Sequence, residues 1–211
     1  MPNVLIFDFD GTIADTYHYI VNISNSLAPE FGYSLIRSDE VDALRDKTIK
    51  EVIRHLKVPI LKIPAIVARG KNDFLKDISQ VQPAHGLIDV LHELKRCGMR
   101  MGILSSNTAL NITRFLESHR LTEVFDFIQS TFMIWSKNIS IRKILMTKGL
   151  SVNDVLYIGD EARDILAAKK AGVRSVSVTW GYNSAVPLEA HEPDYLLSRP
   201  EELLQFCHAG G

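Results

Sequence analysis

The sequence predicts a doubly wound α/β fold, a parallel sheet with a small helical unit inserted after its first strand. Short, unbroken apolar runs recur along the chain, as buried parallel strands do. Between most of them lie stretches with apolar residues at helical spacing, several closed by glycine. Strand and helix in alternation argue for parallel strands joined by right-handed crossovers. One long segment, residues 17 to 82, breaks the alternation with helical periodicity and no strong strand signal.

The first strand is Val4 to Phe9, a greasy run that Gly11 interrupts. The segment after it is too long for an ordinary strand-to-helix connection. TYHYIVNISNSLAPEFG, DEVDALRDKTIKEVIRHL and PAIVARGKNDFLKDI read there as amphipathic helices separated by Gly32, Pro59 and Pro64. Asp15 and Thr16 are placed to cap the first of them and to mark a hinge. Helix 87–98, with Leu87, Val90, Leu91 and Leu94 on one face, then leads into a strand at 99–104. Helix 109–119, strand 124–129, helix 139–149, strand 155–158, helix 161–172 and strand 174–179 complete the alternation. The expected organisation is an α/β core of residues 1–15 and 83–211 with a helical cap of residues 16–82.

Bulk properties narrow the function. The chain has 211 residues, long enough for one well-buried core and a small subdomain. Net charge is −1, so nothing advertises nucleic acid or an acidic membrane as a partner. The apolar run at Val4 is too short for a membrane span or a signal-peptide core. The two cysteines, Cys97 and Cys207, are expected to be reduced thiols in a cytoplasmic protein, without excluding a bond between them. The seven histidines show no tight metal-ligand spacing.

In open α/β sheets ligands bind beyond the carboxyl ends of the strands. Asp8, Asp10, Gly11 and Thr12 follow the first strand; Ser105, Ser106 and Asn107 follow the second. Lys137 follows the third, and Gly159, Asp160, Glu161 and Asp164 follow the fourth. Asp8 and Asp10 are like charges one residue apart, which raise each other's cost of ionising unless a cation lies beside them or one of them reacts. Each member of the set has an ordinary reading when taken alone. Asp8 and Asp10 suit a turn, Ser105 a helix cap, and Asp160 and Glu161 a helix N-terminus. Lys137 alone would be a solvated lysine, with Lys143 and Lys148 as rivals for its role.

DFDGT, the ILSSN strand end, Lys137 and GDEARD together resemble, in order, the four motifs of the haloacid dehalogenase-like hydrolases. The subgroup most similar is that of phosphoglycolate phosphatase-like and β-phosphoglucomutase-like members, whose helical cap sits where residues 16–82 do. The resemblance covers essentially the whole chain. It implies a phosphatase in which Asp8 is the nucleophile that becomes an aspartyl phosphate and Asp10 is the general acid and base. It implies Mg²⁺ held by the Asp8 carboxylate, the Asp10 backbone carbonyl and the Asp160 carboxylate. Lys137 would neutralise the nucleophile and the transferring group. Ser105, with the backbone around Phe9, Asp10, Ser106 and Asn107, would bind phosphate; Asp164 and Glu161 would act from behind the metal or Lys137.

Two departures from the family pattern stand out. Trp135 and Ser136 precede Lys137 where glycine is common, and Ser105 stands where threonine is also found. The presence of Asp10 argues against dehalogenation, which needs no proton for the leaving group. The expected substrate is a small phosphorylated metabolite, phosphoglycolate among the candidates, acted on by a monomer or homodimer. A phosphomutase of the β-phosphoglucomutase type is the alternative, and a receiver-like or binding-only phospho-Asp protein a remote one. Trp180 and Tyr182 are expected in core or rim packing, and Arg45, Lys47, Arg69 and Lys71 on a solvated helix face.

Overall fold

The computed structural model describes residues 2–78, 80–131 and 137–207. Strands β1 (Val4–Phe7), β2 (Arg100–Ser105), β3 (Phe127–Ser130), β4 (Val155–Gly159), β5 (Arg174–Val178) and β6 (Tyr195–Leu197) form one six-stranded sheet. Their order is β3-β2-β1-β4-β5-β6, and every pairing is parallel. β1 lies between β2 and β4, with Phe7 opposite Ile103 on one side and Ile158 on the other. The chain reverses its direction of travel across the sheet here, so the ends of β1 and β4 define the switch-point crevice.

Side chains alternate between two cores, as the two-residue strand period requires. Leu5, Phe7, Met101, Ile103, Leu156 and Ile158 pack with helices α5 (Leu87–Arg96) and α6 (Ala109–Ser118) on one face. Val4, Ile6, Leu104, Val155 and Tyr157 pack on the other, with α7 (Lys137–Lys148) and α8 (Ala162–Ala171). The first strand is shorter than the sequence suggests. It stops at Phe7, and the Asp8 N–H makes a last 2.8 Å bond to the Ile158 carbonyl as the chain turns out of the sheet. The third strand begins at Phe127, because residues 122–124 form a 3₁₀ turn. β6 and a short helix, α9 (Ala185–Glu189), are additions.

Between β1 and α5 lie helices α1 (Tyr17–Phe31), α2 (Val41–Leu44), α3 (Ile49–His55) and α4 (Ile63–Asp77). The middle stretch, expected as one helix, is two. Thr48 starts α3 afresh, and its backbone N–H is bonded at 2.8 Å by Glu51 in a reciprocal cap. Thr16 occupies the position before α1, but its hydroxyl bonds Tyr182 Oη at 2.8 Å rather than the helix end. The chain leaves and re-enters the α/β unit along paired segments: Asp15 N–H bonds Gln82 O, and Ala84 N–H bonds Ile13 O, each at 2.8 Å.

The cysteines correct the sequence reading. Cys97 and Cys207 form a disulfide, with Cα atoms 5.7 Å apart. Packing of α5 against the C-terminal 3₁₀ segment Pro200–Phe206 brings them together from 110 residues apart, a proximity that spacing does not reveal. Closing so long a loop restricts the unfolded chain, and removing the bond with Cys207→Ser is expected to cost about 2–4 kcal/mol. The melting temperature would then fall by roughly 4–16 °C in a chain of this size. Identical melting with and without reductant would contradict the bond.

Candidate active site

The loop after β1 is shaped by its neighbours across the crevice. Ile13 and Ala14 N–H groups both bond the Phe9 carbonyl, at 2.9 and 3.0 Å, which folds residues 9–14 into a tight turn. Gly11 sits at φ 77°, and a Cβ there would lie 2.2 Å from Asp160 Oδ2. Only glycine lets this backbone approach the acid so closely. Thr12 Oγ1 then donates to Asp160 Oδ1 at 2.7 Å, and the Tyr182 N–H donates to Asp160 Oδ2 at 2.7 Å. Gly159 serves the same end at the tip of β4, where a Cβ would meet the Asp164 carboxylate at 2.6 Å.

Lys137, the first residue of α7, is buried with its ammonium between two carboxylates. Nζ lies 2.5 Å from Asp8 Oδ2 and 2.5 Å from Asp164 Oδ1. The lysine and both acids are 2–4% exposed in their side chains. Lys137 is therefore the lysine of the site rather than Lys143 or Lys148. Trp135 and Ser136, the departure before it, lie outside the described residues. Asp164 is held in turn by the Glu161 N–H, which donates to its Oδ2 at 3.1 Å, while Glu161 pairs with Arg163.

Carboxylate oxygens of Asp8, Asp160 and Asp164 all lie within 4.8 Å of one another. Asp160 and Asp8 each carry a pKa raised primarily by burial; for Asp160 the neighbouring Glu161, Asp8 and Asp164 charges add to it, and for Asp8 Lys137 opposes it. Burial pulls the Lys137 ammonium down, but Asp164 and Asp8 overcome this and hold it well above its ordinary value. Lys137 and Arg163 do not balance the four buried acids Asp8, Asp160, Glu161 and Asp164. This set of hard oxygens fits a divalent cation. Asp164 belongs to the oxygen cluster and also pairs with Lys137.

Asp10 stands apart from that cluster. Both its oxygens accept from Asn107 Nδ2 at 3.1 Å, and burial, then the Asp8 charge, push its carboxyl up to about 7. Asn107 is itself fixed: its Oδ1 accepts from the Thr108 N–H and from Asn111 Nδ2, both at 2.8 Å. Ser105 is fully buried, with Oγ accepting the Asn107 N–H at 3.0 Å, and the Ser106 carbonyl accepts from Lys71 Nζ at 2.5 Å. The structure thus brings together Asp8, Asp10, Ser105, Ser106, Asn107, Lys137, Asp160, Glu161 and Asp164.

Several participants were placed elsewhere by the sequence. Lys71 reaches from α4 to the site instead of facing solvent. Arg45 bonds the carbonyls of Thr179 and Gly181 at 3.0 and 2.8 Å; Arg69 does pair with Asp73 on an exposed face. Trp180 and Tyr182 do pack at the core and rim, Trp180 against the main core with a 3.1 Å bond from Nε1 to the Thr12 carbonyl, and Tyr182 beside Thr16 and Asp160. Asn111 and Asn183 carried no sequence signal. Asn183 Oδ1 caps α8 at the Ala162 N–H (3.0 Å), and its Nδ2 donates to Arg45 O and Lys47 O, which ties the helical segment to the rim.

The family model for haloacid dehalogenase-like hydrolases matches residues 5–178. A phosphoglycolate phosphatase from Synechococcus elongatus is 34% identical over 201 residues, 95% of each chain. A pyrophosphatase from Bacillus cereus is 22% identical and spans 96% of this chain and 94% of its own. Among solved structures, a haloacid dehalogenase-like hydrolase from Streptococcus pneumoniae superposes with TM-score 0.82 at 22% identity, covering 98% of this chain and 99% of its own. The chain belongs to the haloacid dehalogenase-like hydrolases. With phosphatases as its full-length relatives, it is an enzyme of the phosphatase type.

A cation bound at this oxygen cluster would stabilise the fold. Titrating a divalent cation is expected to add about 2.7 kcal/mol at a hundredfold excess over Kd, a rise of roughly 5–10 °C in melting temperature. Asp160→Asn should abolish the rise; an equal rise in that variant would place the cation elsewhere.

Proposed function

We propose that this phosphatase is a Mg²⁺-dependent phosphomonoesterase that works through an aspartyl phosphate on Asp8. The observation that carries the reading is the division of labour between the two acids. Asp8 is clamped by Lys137 inside the oxygen cluster, whereas Asp10, two residues on, is held outside it by Asn107. One acid is positioned to react and the other to move a proton.

Asp8, Asp160 and the Asp10 carbonyl would hold the ion, with Asp164 close behind. Mg²⁺, when bound, supplies positive charge for the phosphoryl oxygens. A carboxylate oxygen of Asp8 attacks phosphorus, and the bond from phosphorus to the ester oxygen breaks. Asp10 gives its proton to the departing alcohol. It then takes a proton from a water whose oxygen attacks the aspartyl phosphate, releasing inorganic phosphate and restoring Asp8. Lys137 offsets the charge on Asp8 and on the transferring group, while Ser105 and the backbone N–H groups after β1 and β2 orient it. Residues 16–82 serve as the cap over this rim; the bonds from Lys71 to Ser106 and from Asn183 to Arg45 and Lys47 support that reading.

Phosphate release from a panel that includes phosphoglycolate, the substrate for which the Synechococcus relative is named, tests the proposal. Release should require Mg²⁺ and stop with a chelator. Asp8→Asn should lower kcat by about 10³-fold or more, and Asp10→Asn by about 10²–10⁴-fold. An Asp8→Asn variant that retains a tenth of wild-type turnover would refute the mechanism.

A further inference from the structure

A cavity of about 390 Å³ separates the helices α1, α3 and α4 from the catalytic rim. Its floor is polar and belongs to the site: Asp10, Ser106, Asn107 and Lys71. Its walls are not. Ile23, Ile49, Val52, Ile53, Ile66 and Val67 line it with aliphatic surface. Ile53, Ile66 and Val67 are only half-buried, so this part of the helical unit leaves apolar side chains facing open space. Close-packed interiors leave few voids larger than a water molecule, whereas small-molecule sites begin at about 300 Å³ and are lined mainly by apolar groups.

The charges lie at the rim, not along the walls. Lys71 donates to the Ser106 carbonyl, and Arg163 pairs with Glu161. A carboxylate on the leaving group would stay at that rim, among Lys47, Lys71 and Arg163, and leave the apolar walls uncovered. A leaving group of two carbons and a carboxylate would leave most of the volume unfilled. We infer that the preferred substrate is a phosphomonoester of a predominantly apolar, uncharged alcohol, whose hydrocarbon body fills the cavity while its phosphate meets Asp8. This rests on the phosphatase reading and names the substrate class of the same site.

Methyl, butyl, hexyl and phenyl phosphate, with phosphoglycolate as the small anionic ester, form the test series. Burial of each added methylene should raise kcat/KM about fourfold, on the order of 10³-fold from methyl to hexyl. Hexyl phosphate should then exceed phosphoglycolate. Val67→Trp, which fills the cavity, should cut the hexyl-to-methyl ratio by about tenfold. Binding gives a second measurement on wild-type protein that needs neither turnover nor the variant. Hexylphosphonate, whose P–C bond is not hydrolysed, should bind on the order of 10³-fold tighter than methylphosphonate, with a more negative heat-capacity change.

Asp8-dependent release from phosphoglycolate or methyl phosphate that equals or exceeds release from hexyl phosphate would overturn this inference and leave the phosphatase intact. Equal binding of the two phosphonates would overturn it as well. If no ester releases phosphate through Asp8 while hexylphosphonate still binds the tighter, the catalytic reading fails and the apolar site stands.

Discussion

The contact on which the rest of the structure depends is the Lys137 ammonium between Asp8 and Asp164, all three removed from water. Isolated charges do not persist in such a place; each needs its partners, and breaking such a group by removing one member is strongly destabilising. The sheet order makes the contact available. β1 and β4 must be neighbours in register for Asp8 to stand beside Asp160, and α7 must begin at the sheet rim for its first residue to reach Asp8 after β1 and Asp164 on α8. Lys137 and Arg163 face four buried acids, Asp8, Asp160, Glu161 and Asp164, and that excess of acids suits a divalent cation.

Much of this was legible in the sequence because the rim residues lie in short, contiguous stretches at strand ends. An apolar strand that terminates in two acids, and a fourth strand that terminates in Gly159 and Asp160, mark the crevice before any coordinates are known. Their chemistry is local, so the sequence carries it. The strand boundary was less legible: Phe9 is apolar and buried, yet it belongs to the turn, since burial alone does not distinguish a strand from a packed loop.

The residues that escaped notice act through partners distant in the chain. Asn183 works because Ala162 and Lys47 lie against it, and Asn111 because Asn107 does; neither has a residue type that separates it from ordinary loop or helix asparagines. Lys71 was read as solvated from its place on a helix that also carries Arg69. The fold turns Lys71 toward Ser106 and Arg69 toward Asp73, a difference that depends on how α4 sits over the rim. The cysteine pair is the same case at the other end of the core. Across these examples the acids and the lysine at the strand ends were readable, and the groups that hold them in position emerged only with the fold.

The central claim is that Asp8 becomes covalently phosphorylated. The most direct test is to mix Asp10→Asn, in which hydrolysis of the intermediate is slowed, with a turned-over ester and Mg²⁺, quench in acid, and map the protein by mass spectrometry. A phosphoryl mass increment on the peptide that carries Asp8, absent from the Asp8→Asn/Asp10→Asn double variant, is the predicted result. Phosphate release by the wild type with no phosphorylated Asp8 in Asp10→Asn, or with the increment on another residue, would contradict the account.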